Sequence, residues 1–297
     1  MDTNFVAVQI ELTNACSCAC AECPRENHMT RSVGMMDLDL AKMIVDDALA
    51  MKPDCGFNLN GLGEPLLYKR MPELLRHMES RGAKHVDFFT SLKAPEKLVD
   101  ALYETMKDLK MNVMLAITKH IYNVNGGENL DLQAFQRNFE LMMKLPPAHP
   151  DTRIGVERNI GIVANKYHSR VELDEFKEFY GKWLPPESIH VIEQLNPWLG
   201  YMGDAAHPDF GPSPPSLGKN VCDYPFILLH TGWDGECLVC CHDDVVGELS
   251  LGKIEKPGDL RRIWEGPEYQ ALRAKHNAYD IDMAPCNHCE RTAWARI

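Results

Sequence analysis

A surplus of basic residues is the first thing this sequence lacks: 31 Lys and Arg stand against 43 Asp and Glu, for a formal charge of -12. Neutralising a phosphate backbone or an anionic bilayer requires a basic patch, and no Lys/Arg run occurs, which argues against nucleic-acid and membrane partners. No apolar run approaches the roughly 18 residues of a spanning helix. The amino terminus lacks a basic segment followed by an apolar core, so a cytoplasmic protein is expected. Disorder is not indicated at 45% hydrophobic content. The 297 residues suffice for one large domain and a small one, and a chain of that size needs no disulfide staples. Its eleven cysteines, gathered mostly in two clusters near the chain ends, are therefore better read as metal ligands.

The first cluster is Cys16-Ser17-Cys18-Ala19-Cys20-Ala21-Glu22-Cys23, directly after the apolar run Phe5 to Leu12. As C-x3-C-x2-C it offers three thiolates from one loop to a four-iron, four-sulfur cluster, leaving one iron open for a ligand. A zinc knuckle completed by His28 is the alternative that spacing alone leaves open.

With this spacing the chain resembles the radical S-adenosylmethionine (radical SAM) enzymes. The resemblance implies that Cys16, Cys20 and Cys23 hold a [4Fe-4S] cluster whose open iron takes S-adenosyl-L-methionine, and that reductive cleavage yields a 5'-deoxyadenosyl radical able to attack an unactivated C–H bond. A reducing flavodoxin or ferredoxin is then the implied redox partner. Many members carry an aromatic residue just before the third cysteine, where it contacts adenine; Glu22 stands there, so another group must pack the adenine.

Strand and helix signals alternate six times down the chain. Strands are expected at Phe5 to Leu12, Gly56 to Asn60, Val86 to Thr90, Val113 to Ile117, Arg153 to Val163 and Ser188 to Leu195. The helical stripes between them are Leu40, Met43, Ile44, Ala48 and Met51 behind a cap at Asp37; Met71, Leu74, Leu75 and Met78; Leu98, Leu102, Met106 and Leu109; Leu132, Phe135, Phe139 and Met142; and Leu173, Phe176, Tyr180 and Trp183. Such alternation implies parallel strands with right-handed crossovers, too irregular in period for a solenoid. The expected fold class is α/β, a partial (β/α)6 barrel over 1–200, a Pro- and Gly-rich linker or lid over 201–220, and a small carboxyl-terminal domain over 221–297.

Chemistry in such a fold gathers at the carboxyl ends of the strands. The second strand ends in Gly61-Leu62-Gly63-Glu64-Pro65, similar to the family's GGEP motif, which binds the amino group of S-adenosylmethionine. Glycines let backbone carbonyls approach an ammonium, and Glu64 adds charge nearby. The third ends in Thr90-Ser91-Leu92 where relatives have Thr-Asn-Gly, and its hydroxyls are candidates for the ribose or methionine moiety, with Thr118 and Asn165 after later strands as further candidates.

The second cysteine group is Cys222, Cys237, Cys240, Cys241, Cys286 and Cys289, with an Asp234-Gly235 hairpin signal inside it. It is similar to the SPASM/twitch extensions of radical SAM proteins, in the shorter twitch form (a β-hairpin plus helix) that holds one auxiliary [4Fe-4S] cluster. That resemblance assigns Cys222, Cys240, Cys286 and Cys289 as its ligands, with Cys241 the rival of Cys240 and a zinc ribbon the alternative. Cys55 reads as a buried, inert thiol. The implied activity is oxidation of an alcohol of a small sugar or aminocyclitol, as in twitch aminocyclitol dehydrogenases. Radical epimerisation with a cysteine hydrogen donor, peptide modification and a two-cluster electron carrier stay open beside it. Glu157, Arg158, His190 and Glu193 on the fifth and sixth strands, with Cys241, are the candidates for handling substrate or protons.

Overall fold

The computed structural model describes residues 5–20, 23–119, 132–145, 158–163, 189–192, 222–247 and 249–289, together with 178, 181 and 182. Six strands follow one another in parallel: β1 (Ala7–Ile10), β2 (Gly56–Asn58), β3 (His85–Thr90), β4 (Asn112–Lys119), β5 (Arg158–Val163) and β6 (Ile189–Ile192). A short helix α1 (Arg25–His28) lies in the loop after β1. The crossover helices α2 (Leu38–Met51), α3 (Met71–Ser80), α4 (Glu96–Met106) and α5 (Leu132–Met142) pack each against the next. Strands in chain order without reversal keep their crossovers on one face, so the helices wrap the outside of a curved sheet. The expected partial barrel is what forms.

Local chemistry accounts for the helices. Asp37 caps α2, accepting from the backbone N–H groups of Asp39 and Leu40 at 2.8 and 3.3 Å. The buried face of α2 is Leu38, Ala41, Ile44, Val45 and Ala48, with Leu40, Met43 and Met51 at its flank rather than its centre. Met71, Leu74, Leu75 and Met78 of α3 are buried as their spacing predicts, whereas α4 turns Val99, Leu102, Thr105 and Met106 inward instead of Leu98, and Leu109, just past its end, packs at the core's edge. The stripe of Leu173, Phe176, Tyr180 and Trp183 and the linker over 201–220 lie outside the described residues. Among the described residues no helix is long and apolar enough to cross a membrane.

The carboxyl-terminal segment extends the same sheet. After α6 (Tyr224–Ile227), strand β7 (Leu228–Thr231) pairs in parallel with β1 on the side away from β2, and β8 (Glu236–Leu238) and β9 (Ser250–Lys253) follow antiparallel. The order among the described residues is β6-β5-β4-β3-β2-β1-β7-β8-β9. At the expected Asp-Gly turn, Gly235 sits at φ +86°, a left-handed conformation that disfavours a side chain. Helices α7 (Asp259–Trp264) and α8 (Pro267–Asn277) close the far side. Asp47 of α2 accepts from the N–H groups of Gly258 and Leu260 at the start of α7, at 2.8 and 3.3 Å, and the Trp264 ring meets Phe5 edge-on at 5.2 Å.

One carboxylate joins these parts. Glu11, just past β1, is fully buried, which an ionised group tolerates only when paired and hydrogen-bonded. Arg31 Nη2 donates to its two oxygens at 2.6 and 2.8 Å, and the backbone N–H groups of Trp233 and Leu62 donate at 3.2 and 3.4 Å. The indole N–H of Trp233 reaches the Ser32 carbonyl at 3.1 Å, and its ring lies so close over Gly34 that a Cβ there would come within 2.5 Å. Arg31→Met should leave the Glu11 carboxylate buried without its cation and cost about 3–5 kcal/mol. Urea unfolding at pH 7 measures this, and adding Glu11→Gln should recover part of the loss.

Candidate functional site

The cysteine loop is anchored before it begins. Thr13 Oγ1 donates to the Gly34 carbonyl at 2.7 Å and accepts from Ala15 N–H at 3.0 Å, while the Asn14 side chain bonds the Ser32 carbonyl and Gly34 N–H at 2.9 and 2.8 Å. Arg25 Nε closes the other end on the Asn14 carbonyl at 2.7 Å. None of the eleven cysteines is in a disulfide. The Cys18 thiol hydrogen-bonds with those of Cys16 and Cys20: Cys16, then Cys20, hold Cys18 well below the ordinary thiol range, and the same bond with Cys18 pushes Cys16 up. Cys18 Sγ also lies 3.7 Å from Ser91 Oγ. Among the described residues no three His, Cys, Asp or Glu side chains converge as tightly as a bare metal ion needs. The donor set is nonetheless a run of soft thiols on one anchored loop, which suits a cluster spreading its ligands over several irons.

The glycine segment lies against that loop. A Cβ on Gly63 would fall 2.2 Å from the Thr13 carbonyl oxygen, one on Gly61 2.3 Å from Glu11 Cγ, and Glu64 N–H donates to the Ala15 carbonyl at 2.9 Å. Glycine is required here, at Gly63 for the approach of backbone to backbone and at Gly61 for the approach of the Glu11 side chain. Glu64 is buried and accepts from Thr90 Oγ1 at 2.5 Å, Ser91 Oγ at 2.7 Å, Ser91 N–H at 2.8 Å and Leu66 N–H at 3.1 Å. Burial raises its carboxyl above the usual range, with the hydroxyls of Thr90 and Ser91 opposing. The two hydroxyls expected to meet a cofactor are thus engaged with Glu64, because a buried carboxylate needs donors. Pro65 follows in a short 3₁₀ turn, Pro65–Leu67. Leu92 occupies the position where relatives have glycine and takes φ +54°, a strain of about 1–2 kcal/mol. Buried Asn138 of α5 holds that turn through the Leu92 and Ala94 carbonyls at 2.8 and 3.2 Å.

Along β3, Val86, Phe88 and Thr90 are buried beneath the helices, so Asp87 and Phe89 lie on the opposite, concave face. Gln9, Asn58, Asp87 and Met114 share one row across β1 to β4. Asn58 Nδ2 donates to Asp87, Asn60 Oδ1 accepts from Phe89 N–H at 2.6 Å, and Asn60 Nδ2 is buried with no partner. Phe89 is 50% exposed. Burial pushes the Asp87 carboxyl up to about 6, against the Asn58 hydrogen bond. This polar face escaped the sequence reading, although the alternation of Asp87 and Phe89 with Val86, Phe88 and Thr90 carried the signal. Thr118 lies inside β4 rather than after it, in a row with Gly161 and His190, and Arg158 shares the row of buried Leu115. Glu22, Glu157, Asn165 and Glu193 lie outside the described residues.

In the carboxyl-terminal part Cys222 precedes α6, Cys240 and Cys241 follow β8 at a 3₁₀ turn, and buried Cys286 and Cys289 flank another, with Cys289 N–H on the Cys286 carbonyl at 3.2 Å. Cys237 is a core residue of β8, its thiol raised by burial. His276, in the last turn of α8, is buried, with Nε2 3.4 Å from Cys286 Sγ. Burial lowers its pKa to about 4. Cys55 is also buried, its thiol pushed up to about 12 by desolvation.

Residues 222–290 match the SPASM family, an iron–sulfur cluster-binding domain. No curated protein sequence matches the chain. Among solved structures, BtrN in complex with AdoMet and 2-DOIA is similar at TM-score 0.57 and 16% identity, over 93% of this chain and 89% of that one. Native anSMEcpe with bound AdoMet and Cp18Cys peptide gives 0.55 and 14%, over 92% and 83%. SuiB of Streptococcus suis bound to its precursor peptide SuiA gives 0.55 and 14%, over 98% and 70%. The chain thus has the fold of radical SAM enzymes that carry SPASM or twitch domains.

The Asp87 environment makes a prediction about pH. A carboxyl whose folded pKa lies near 6, against 3.8 unfolded, stabilises the fold below the unfolded value and loses that contribution as pH rises through 6. Asp87→Asn should therefore match the parent below pH 4 and exceed it by about 2 kcal/mol at pH 8. Chemical denaturation across that range measures the difference.

Proposed function

We propose that this chain is a radical SAM enzyme that oxidises a secondary alcohol of a small polyol or aminocyclitol to a ketone. The observation that carries most weight is the meeting of the cysteine loop, the Gly61 to Pro65 segment and the Thr90-Ser91 turn at the carboxyl ends of β1, β2 and β3. Cys16, Cys20 and Cys23 would hold a [4Fe-4S] cluster with one open iron, and Cys222, Cys240, Cys286 and Cys289 a second with none. When bound, the first cluster with S-adenosylmethionine would supply a 5'-deoxyadenosyl radical for hydrogen-atom abstraction, and the second would serve as a one-electron acceptor. The substrate hydroxyl gives up a proton, completing a two-electron oxidation. A reducing flavodoxin or ferredoxin in the cytoplasm would supply the starting electron. The working domains are a barrel over 1–200, a linker or lid over 201–220 and a twitch unit over 221–297.

The chain's own residues divide the work. Gly61 and Gly63 let backbone carbonyls come close enough to receive the ammonium of the cofactor, and Glu64 fixes that segment rather than contacting the ligand. On the concave face Asp87 offers a carboxylate that is ionised above pH 6, Asn60 an unused amide N–H, and Phe89 a flat apolar surface. Hydroxyl, ammonium and ring C–H groups of an aminocyclitol suit those three. The small molecule in the BtrN complex supports the same substrate class, while the peptide complexes of anSMEcpe and SuiB support peptide modification as the rival. Glu157, Arg158, His190, Glu193, Thr118 and Asn165 stay proposals as substrate, proton or cofactor contacts. Epimerisation is the second rival, with Cys241 the candidate hydrogen-atom donor and Cys18, beside Ser91 at the strand ends, a donor only when its thiol is protonated; Cys237 is enclosed in the core.

Anaerobic reconstitution should give about eight irons per chain, falling to about four in Cys16, Cys20, Cys23→Ala. Cys20→Ala should abolish 5'-deoxyadenosine formation, and formation at the parent rate would refute the assignment. In deuterium oxide with cyclitol substrates, a ketone that has lost the reacting hydrogen is expected. A redox-neutral product carrying one solvent deuterium, abolished by Cys→Ala at 18 or 241, would establish the epimerase instead.

A further inference from the structure

We infer that His276 donates a hydrogen bond to the sulfur of Cys286 and thereby sets the reduction potential of the auxiliary cluster; this rests on Cys286 being a ligand of that cluster. His276 is 1% exposed, its Nε2 is 3.4 Å from Cys286 Sγ, and its Nδ1 is buried with no hydrogen-bond partner. A ring bearing a single proton carries it on Nδ1 or on Nε2. With the proton on Nδ1, a buried N–H goes unpaired at a cost of about 1–3 kcal/mol, and the Nε2 lone pair needs a thiol proton from Cys286. A cysteine bound to iron is a thiolate and has none, so that tautomer sets lone pair against lone pair. With the proton on Nε2, the donor meets the sulfur and only an acceptor is left over. Ligation of Cys286 therefore selects the Nε2–H tautomer.

The ring is held where this matters. It lies on the last turn of α8, and Cys286 opens the short turn 286–288, whose Asn287 N–H donates to the Met283 carbonyl at 2.8 Å. One side chain thus spans from the helix to the ligand turn inside a closed core. A hydrogen bond to a ligating sulfur stabilises the extra negative charge of the reduced cluster more than the oxidised form, and so raises the potential. In the proposed oxidation this cluster takes the electron from the substrate, so His276 is a positioning residue that tunes the acceptor without touching substrate.

The test uses the full chain with Cys16, Cys20 and Cys23→Ala, so that the auxiliary cluster alone is observed. EPR-monitored redox titration should show His276→Leu lowering the potential by about 59 mV, the one-electron equivalent of a tenfold shift in the reduction equilibrium. His276→Gln, which keeps an amide N–H at similar reach, should restore most of it. An unchanged potential in His276→Leu with iron content intact overturns the inference. Should His276→Leu fail to load iron, pulsed EPR of the protein with [15N]histidine decides: a weak coupling to one histidine nitrogen in the reduced cluster, lost in His276→Gln, supports the inference, and no coupling overturns it. Cys286→Ala that still loads its full iron would instead overturn the ligand assignment beneath it.

Discussion

The structure depends on the solvation of one buried carboxylate. Glu11 is fully buried, and its charge is met by Arg31 and by two backbone N–H groups, one from Leu62 and one from Trp233. These partners come from the stretch after the cysteine loop, the turn after β2 and the β7–β8 hairpin. Moving any of them leaves the carboxylate short of a donor, at a cost of several kcal/mol in a protein whose whole stability is of order 10. The constraint therefore fixes relative positions that apolar packing alone would leave free to slide.

Around that point the close backbone contacts become necessary. Gly61 lies over the Glu11 stem, Gly63 over the Thr13 and Ala15 carbonyls, and Gly34 under the Trp233 ring, each too near for a Cβ. Glu64 repeats the same physics one strand along, where two hydroxyls and two backbone N–H groups hold the turn after β3 against the glycine segment. Asp87 differs, since an Asn58 amide meets it on the open concave face and burial pushes its carboxyl up to about 6. Two carboxylates thus hold the frame, and the third is left with capacity for a ligand.

The parallel pairing of β7 with β1 gives the carboxyl-terminal unit its orientation. Because β7 adds to the strand that leads into the cysteine loop, the second cysteine group is carried on an extension of the barrel sheet, with Asp47 of α2 capping α7 and Phe5 against Trp264 as further fasteners. The second cysteine group therefore has a fixed relation to the carboxyl ends of the barrel strands.

The sequence by itself determined the alternation of strands and helices, the cap at Asp37, the Asp-Gly hairpin and the two cysteine groups, because periodicity, capping and ligand spacing are local properties of consecutive residues. It also marked Gly61 to Pro65 as a candidate segment through its place after β2. What it did not determine is what those residues touch. Thr90 and Ser91 donate to Glu64, Cys18 joins the thiols of Cys16 and Cys20, and Asp87 becomes a concave-face carboxylate beside Asn58. Tertiary structure alone decided that Glu11 and Trp233, 222 positions apart, share a hydrogen bond, and that His276 meets Cys286. The physical reason is that a buried polar group must find its partner wherever the fold brings one within about 3 Å, and no local pattern records which distant segment that is.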